Sequence, residues 1–176
     1  EKLSTPEENK EFPGKIFPTQ GAEIYLRKDI ALDPIKTYVW NGVDGATDAE
    51  YGKVVVTKEY GLSEEIVLLP GETLVVDFGQ NAAAVPSFVF KAKEGTVLTC
   101  LPSEILNDGN GAKSRGMDGP EGSCHRLNLR TPNDGMIMEY TFADKRGYVS
   151  YMPRYTFYGY RYVSVTATEP VRIKSI

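Results

Sequence analysis

Cys124 and His125 are the two most reactive side chains that the sequence sets side by side. A thiol and an imidazole could make a nucleophile and its base, but neighbours along a strand point to opposite faces, so these two cannot serve each other. His125 is the single histidine, and the sequence holds no G-x-S-x-G elbow that would recruit it to a serine triad. The expected role of His125 is therefore structural, exposed or hydrogen-bonded. Cys100 and Cys124 lack the C-x-x-C spacing of zinc and redox sites, leaving them to pair once or stay free.

Hard oxygen ligands gather in 106–123, where Asp108, Asn110, Asp118 and Glu121 could suit calcium. The run from Asp108 is not an EF-hand, because Ala112 and Lys113 stand where that loop needs a ligand and a glycine. The competing expectation is a solvated loop whose acidic residues cap turns. A sugar site would need aromatic faces beside carboxylates, amides and arginine. Trp40 with Asn41, and the cluster Tyr155, Phe157, Tyr158 and Tyr160, supply the aromatics; Asp108, Asn110, Arg115 and Asp118 could fix hydroxyls. Against this, aromatics on strands mostly fill a core. The glycine-rich loop matches neither phosphate-binding pattern, so a nucleotide site is set aside.

These residues need a scaffold, and its signature is β. Short runs rich in Val, Ile, Thr and aromatics recur between turn residues: 23–32, 36–43, 53–60, 64–69, 73–78, 87–93, 96–105, 124–130, 136–142, 147–157, 159–168 and 171–175. No helical periodicity reaches 11 residues, so the expected fold is an all-β antiparallel sandwich, jelly-roll or galactose-binding-domain-like. Pro70-Gly71 and Asn133-Asp134-Gly135 mark tight turns. In 159–166, alternation places Tyr160 and Tyr162 on one face and Arg161, Val163 and Val165 on the core face, where Arg161 would need a partner. Segment 106–123 carries five of the 17 glycines and reads as a long functional or disordered connection. The chain divides into a polar lead-in, 1–20, and one sandwich domain, 21–176.

The 176 residues carry 20 Lys and Arg against 24 Asp and Glu, a net charge of −4, which argues against a nucleic-acid partner. No apolar run approaches the roughly 20 residues of a membrane helix. The chain starts at Glu1 without a charged-then-apolar leader, which suits a mature exported protein or an excised domain.

VDFGQN at 76–81, Gly95-Thr96-Val97, Glu104-Ile105-Leu106 and RYTFYGYRYV at 154–163 agree in order and spacing with one family. Together they resemble the β-sandwich domain of bacterial α-L-rhamnosidases over 72–169, and the 107–122 loop is similar to the version in rhamnosidase-like proteins of gut Bacteroides-type bacteria. IYLRKDIAL at 24–32 resembles the first strand of the family's amino-terminal module, but only 44 residues separate Leu32 from Asp77, so the usual intervening module, which in some relatives binds rhamnose with calcium, is largely absent.

The resemblance implies an adjacent (α/α)₆ barrel carrying the catalytic carboxylates, no catalytic residue in this chain, a periplasmic or extracellular location, and a non-catalytic accessory role. The alternative is a module binding rhamnose-containing glycans. In the matching motifs, Gly79 is expected to bend its strand, with Gln80 and Asn81 satisfying the freed backbone. Gly159 is expected to mark a bulge or close approach, and Asp77 to pair with Arg161.

Overall fold

The computed structural model describes residues 14–15, 17–18, 20–21, 25–109, 112–113, 116–127, 136–143 and 147–176. The turn expected at Asn133-Asp134-Gly135 lies outside them. The chain forms two compact units, 1–31 and 32–176. In the first, Lys28–Ile30 is a single 3-10 turn rather than the strand expected over 23–32. Arg27 explains the difference: its guanidinium donates to the Asp29 carboxylate at 2.8 and 2.6 Å, closing the chain on itself two residues apart.

The second unit is a β-sandwich with no α-helix among the described residues. Its strands are β1 (Lys36–Asp44), β2 (Lys53–Tyr60), β3 (Ile66–Leu68), β4 (Thr73–Ala84), β5 (Phe88–Ala92), β6 (Val97–Ser103), β7 (Ile105–Leu106), β8 (Cys124–His125), β9 (Met138–Thr141), β10 (Val149–Tyr151), β11 (Tyr158–Ala167) and β12 (Val171–Ser175). One sheet runs β2-β1-β4-β11-β6-β9, the other β10-β5-β12-β3, and β7 pairs with β8. Their pairings are all antiparallel.

Period-two alternation turns one row of each sheet inward. Val39, Leu74, Val76, Leu98, Cys100, Val163 and Val165 meet Leu68, Phe88, Phe90, Val171 and Ile173 in one core. Phe90 sits centrally, 4.7 Å from the Phe142 ring and 4.9 Å from Tyr140. The opposite face of the six-stranded sheet carries a second, smaller cluster of Tyr38, Val54 and Val75, against which Trp40, Leu106, Cys124 and Tyr162 pack.

The alternation expected for β11 breaks in the middle. Tyr160 pairs with Ala82, but Tyr162 pairs with Asp77, so Phe78-Gly79-Gln80-Asn81 of β4 faces Arg161 alone. This large bulge shifts the parity. Tyr160 joins Val163 and Val165 in the core, its ring 5.8 Å from Phe78, whereas Tyr162 lies on the outer face and Arg161 is not in the inward row.

Candidate functional site

The bulge builds the first polar constellation. Gly79 takes φ +83°, which a side chain would resist, and its amide donates to Asp77 Oδ1 at 2.7 Å. Arg161, opposite the bulge, reaches back with Nε and Nη2 to the two oxygens of Asp77 at 2.8 and 2.9 Å, and its guanidinium lies 4.9 Å from the Tyr162 ring centre. Burial pushes the Asp77 carboxyl up, but Arg161, the Gly79 amide and Lys36 outweigh it and hold it below the ordinary 3.8. Asn81 donates to Glu104 at 3.2 Å, while Gln80 is exposed. Gly159 is not the bulge: it pairs in register with Ala83, and a Cβ there would lie 3.8 Å from Glu104 Oε1, an ordinary contact.

The second constellation lies where the sequence suggested a loose connection. The described residues of 104–127 form a flap folded onto the outer face of the six-stranded sheet. Tyr38 donates to the Gly122 carbonyl, the Val54 amide to Glu121 at 3.0 Å, and the Glu121 amide to Gly52 at 2.8 Å. Within the flap, Asn107 and His125 are buried. Asn107 Nδ2 donates to Ser123 Oγ at 2.9 Å, so its Oδ1 is an acceptor. His125 Nδ1 is 3.1 Å from that Oδ1 and 3.1 Å from Asp118 Oδ1. Two acceptors on one ring nitrogen place the hydrogen on Nδ1.

Asp118 Oδ2 accepts from the Arg126 and Leu127 amides at 2.6 and 2.8 Å. Burial would push its carboxyl up; these amides, Asn107 and His125 hold it below 3.8 instead. Ser103 completes the fastening, its single hydroxyl hydrogen shared between the Ile105 and His125 carbonyls.

Among the described residues, the oxygens expected to hold calcium are engaged elsewhere. Both oxygens of Asp118 are committed to protein groups, Glu121 is ion-paired with Lys53 at 3.0 Å, and Asn110 lies outside the described residues. Among the described residues, no three of His, Cys, Asp and Glu gather to hold a metal ion. Asp108 is exposed and has a partner of its own.

The aromatics expected to stack on sugars are dispersed. Trp40 pairs with Thr73 at the start of β4 and Tyr158 with Ala84 at its end, roughly 30 Å apart by strand rise. Trp40 is half-buried with Nε1 shut away from solvent and unpartnered, and Asn41 beside it is exposed. Tyr158 packs against the core and Tyr160 is inside it. Tyr155 is fully exposed in a left-handed conformation, φ +61°, with Phe157 exposed two residues on. Arg115 lies outside the described residues.

The cysteines are both free, with Cys100 in the core and Cys124 under the flap. Burial raises both thiols, Cys124 to about 12 despite Ser164 and Arg126.

Sequence reasoning passed over Asn107, Ser123, Ser103 and Tyr38, which organise the flap. A readable signal was the cluster of short polar residues around Asp118 next to a lone histidine, each able to replace a missing backbone partner.

Residues 68–175 match the bacterial alpha-L-rhamnosidase concanavalin-like domain. An alpha-L-rhamnosidase of Formosa agariphila is 25% identical over 114 residues, 65% of this chain and 11% of that protein. One of Streptomyces avermitilis is 30% identical over 115 residues, 65% of this chain and 10% of that protein. The chain thus spans about a tenth of these relatives. A solved rhamnosidase of Bacillus sp. GL1 superposes with a TM-score of 0.40 at 21% identity, over 58% of this chain and 9% of that one.

Proposed function

We propose, from the premise that the chain belongs to the bacterial α-L-rhamnosidase concanavalin-like domain family, that it is a non-catalytic accessory sandwich of a glycoside hydrolase of that type. Its partner would be an adjacent (α/α)₆ catalytic barrel, in a periplasmic or extracellular protein. The observation that carries this reading is the match of residues 68–175 to the concanavalin-like domain, in a chain that spans about a tenth of the rhamnosidases it resembles. Inverting hydrolysis needs a pair of carboxyl groups facing one another across the scissile bond. Asp77 and Asp118 are spent on fastening the bulge and the flap.

The purified chain is expected to release no aryl alcohol from an aryl α-L-rhamnoside. Turnover proportional to protein and abolished by heat denaturation would refute the accessory reading. A second reading, a module for rhamnose-containing glycans, is favoured by the full exposure of Tyr155 and the 72% exposure of Phe157. Exposed rings at a loop tip could stack on sugar C–H faces. Titration with rhamnose and rhamnogalacturonan against wild type and Tyr155→Ala separates the readings: saturable binding lost in the variant supports the module.

A further inference from the structure

The outer face of the four-stranded sheet carries a charge opposite to that of the whole chain. Phe88, Phe90, Val171 and Ile173 point to the core, so Val89 and Lys91 of β5 and Arg172 and Lys174 of β12 point away from it. Lys91 pairs in register with Arg172, and Tyr148, just before β10, lies beside them. The Lys91 ammonium sits 4.5 Å and the Lys174 ammonium 5.8 Å from the centre of the Tyr148 ring. Arg172 is neutralised by Glu65 at 2.7 Å. Neither Lys91 nor Lys174 has a described carboxylate within ion-pair distance. A chain with a net charge of −4 thus holds two ammonium groups over one tyrosine on a flat sheet face.

We propose that this face binds an anionic polysaccharide, Lys91 and Lys174 meeting uronate carboxylates while Tyr148 packs against a sugar ring. Two cations with no described carboxylate partner, on adjacent strands and offset by two residues, so about 8 Å apart at the backbone, suit carboxylates spaced along a glycan. They are too few for a nucleic acid, whose affinity comes from many phosphate contacts and which the overall negative charge repels. Tyr148 supplies the C–H-facing surface that a bare anion site would not need. The surface belongs to the sheet opposite the flap, so it stands whether the chain is an accessory domain or a glycan module in its own right.

The test measures binding of polygalacturonate to the full 176-residue chain at about 20 mM and about 500 mM salt, with dextran and duplex DNA as controls. Binding at low salt, weakened by salt, is expected. Lys91→Ala with Lys174→Ala should lower affinity about tenfold or more, and Tyr148→Ala about threefold, as lost charge contacts and a lost ring face predict. Lys15→Ala with Lys58→Ala, the same charge change elsewhere, should leave it unaltered. All these side chains lie at the surface, and unchanged thermal melting confirms that the variants fold. Absence of binding at low salt, equal binding of dextran or DNA, or an undiminished affinity in the double lysine variant overturns the proposal. Turnover of aryl rhamnoside by the chain would overturn the accessory reading and leave this one standing.

Discussion

Asp77 shows how one side chain secures an irregularity that the backbone alone would not keep. It sits in the middle of the six-stranded sheet with a side chain 13% exposed, and holds both the Gly79 amide and the Arg161 guanidinium. Asp77→Asn keeps the shape but removes a charge from two charge-assisted bonds, and is expected to cost about 2 kcal/mol in urea unfolding. The acid limb of stability follows from the same group. Asp77 and Asp118 both lie below the ordinary 3.8 in the folded chain, so between folded and unfolded values the unfolded chain binds more protons and stability rises with pH. Their contribution is complete above the unfolded value and is lost as pH falls through the folded ones. The variant Asp77→Asn with Asp118→Asn should therefore lose less stability than wild type as pH falls through that range; equal losses would exclude these carboxyls. The raised thiols make a separate prediction. With Cys124 near 12, neither cysteine should react with iodoacetamide at pH 8 until the chain is unfolded, when both should.

At the scale of elements, the flap depends on one buried network rather than on regular pairing. Asp118→Ala would leave the Arg126 and Leu127 amides unpaired and His125 Nδ1 with Asn107 alone, at an expected cost of about 2–4 kcal/mol. Hydrogen exchange should then accelerate at 118–127 while β11 stays protected, since the flap can open without disturbing the inner core. If β11 accelerates equally, the flap is not a separate unit. The same contrast explains what could be read beforehand. β1, β2 and β12 fall within a residue of their expected spans because β-branched and aromatic residues fill the first two and apolar residues alternate along the third. β4 runs on to Ala84 through GQNAAA, where nothing apolar alternates, because β11 pairs with it beyond the bulge. The expected strand over 147–157 shrinks to Val149–Tyr151, since the left-handed Tyr155 interrupts any extension. The flap left no periodic signal because its order comes from side-chain groups of Asn107, Asp118 and Ser123, and only their clustering beside the lone histidine marked it. The Asp77–Arg161 pairing was legible from the two matching motifs even though Arg161 lies outside the inward row expected for it, whereas the failure of Trp40 and Tyr158 to form one platform depended on strand length and register.

For the molecule as a whole, sequence order and sheet order disagree, and that places unusual weight on the last two strands. β11 lies between β4 and β6 inside the six-stranded sheet, and β12 between β5 and β3 inside the four-stranded one. They bring Val163, Val165, Val171 and Ile173 into the core, all fully buried. Without them β4 and β6 lose their shared neighbour, β5 and β3 lose theirs, and each sheet falls into pieces too small to bury a face. A chain ending at residue 157 is therefore expected to be unfolded, with no dispersed methyl or amide resonances, even though it retains ten of the twelve described strands. Refolding of the intact chain should be slow for its size, on the order of milliseconds to seconds, because the central pairings close long loops before they are rewarded. A folded 1–157 fragment, or refolding in microseconds, would mean that the sandwich assembles around the amino-terminal hairpin and receives β11 and β12 as additions. The same placement bears on the accessory role proposed above, since a domain whose final strands bind both sheets together would carry the exposed Tyr155 and Phe157 on a fixed base.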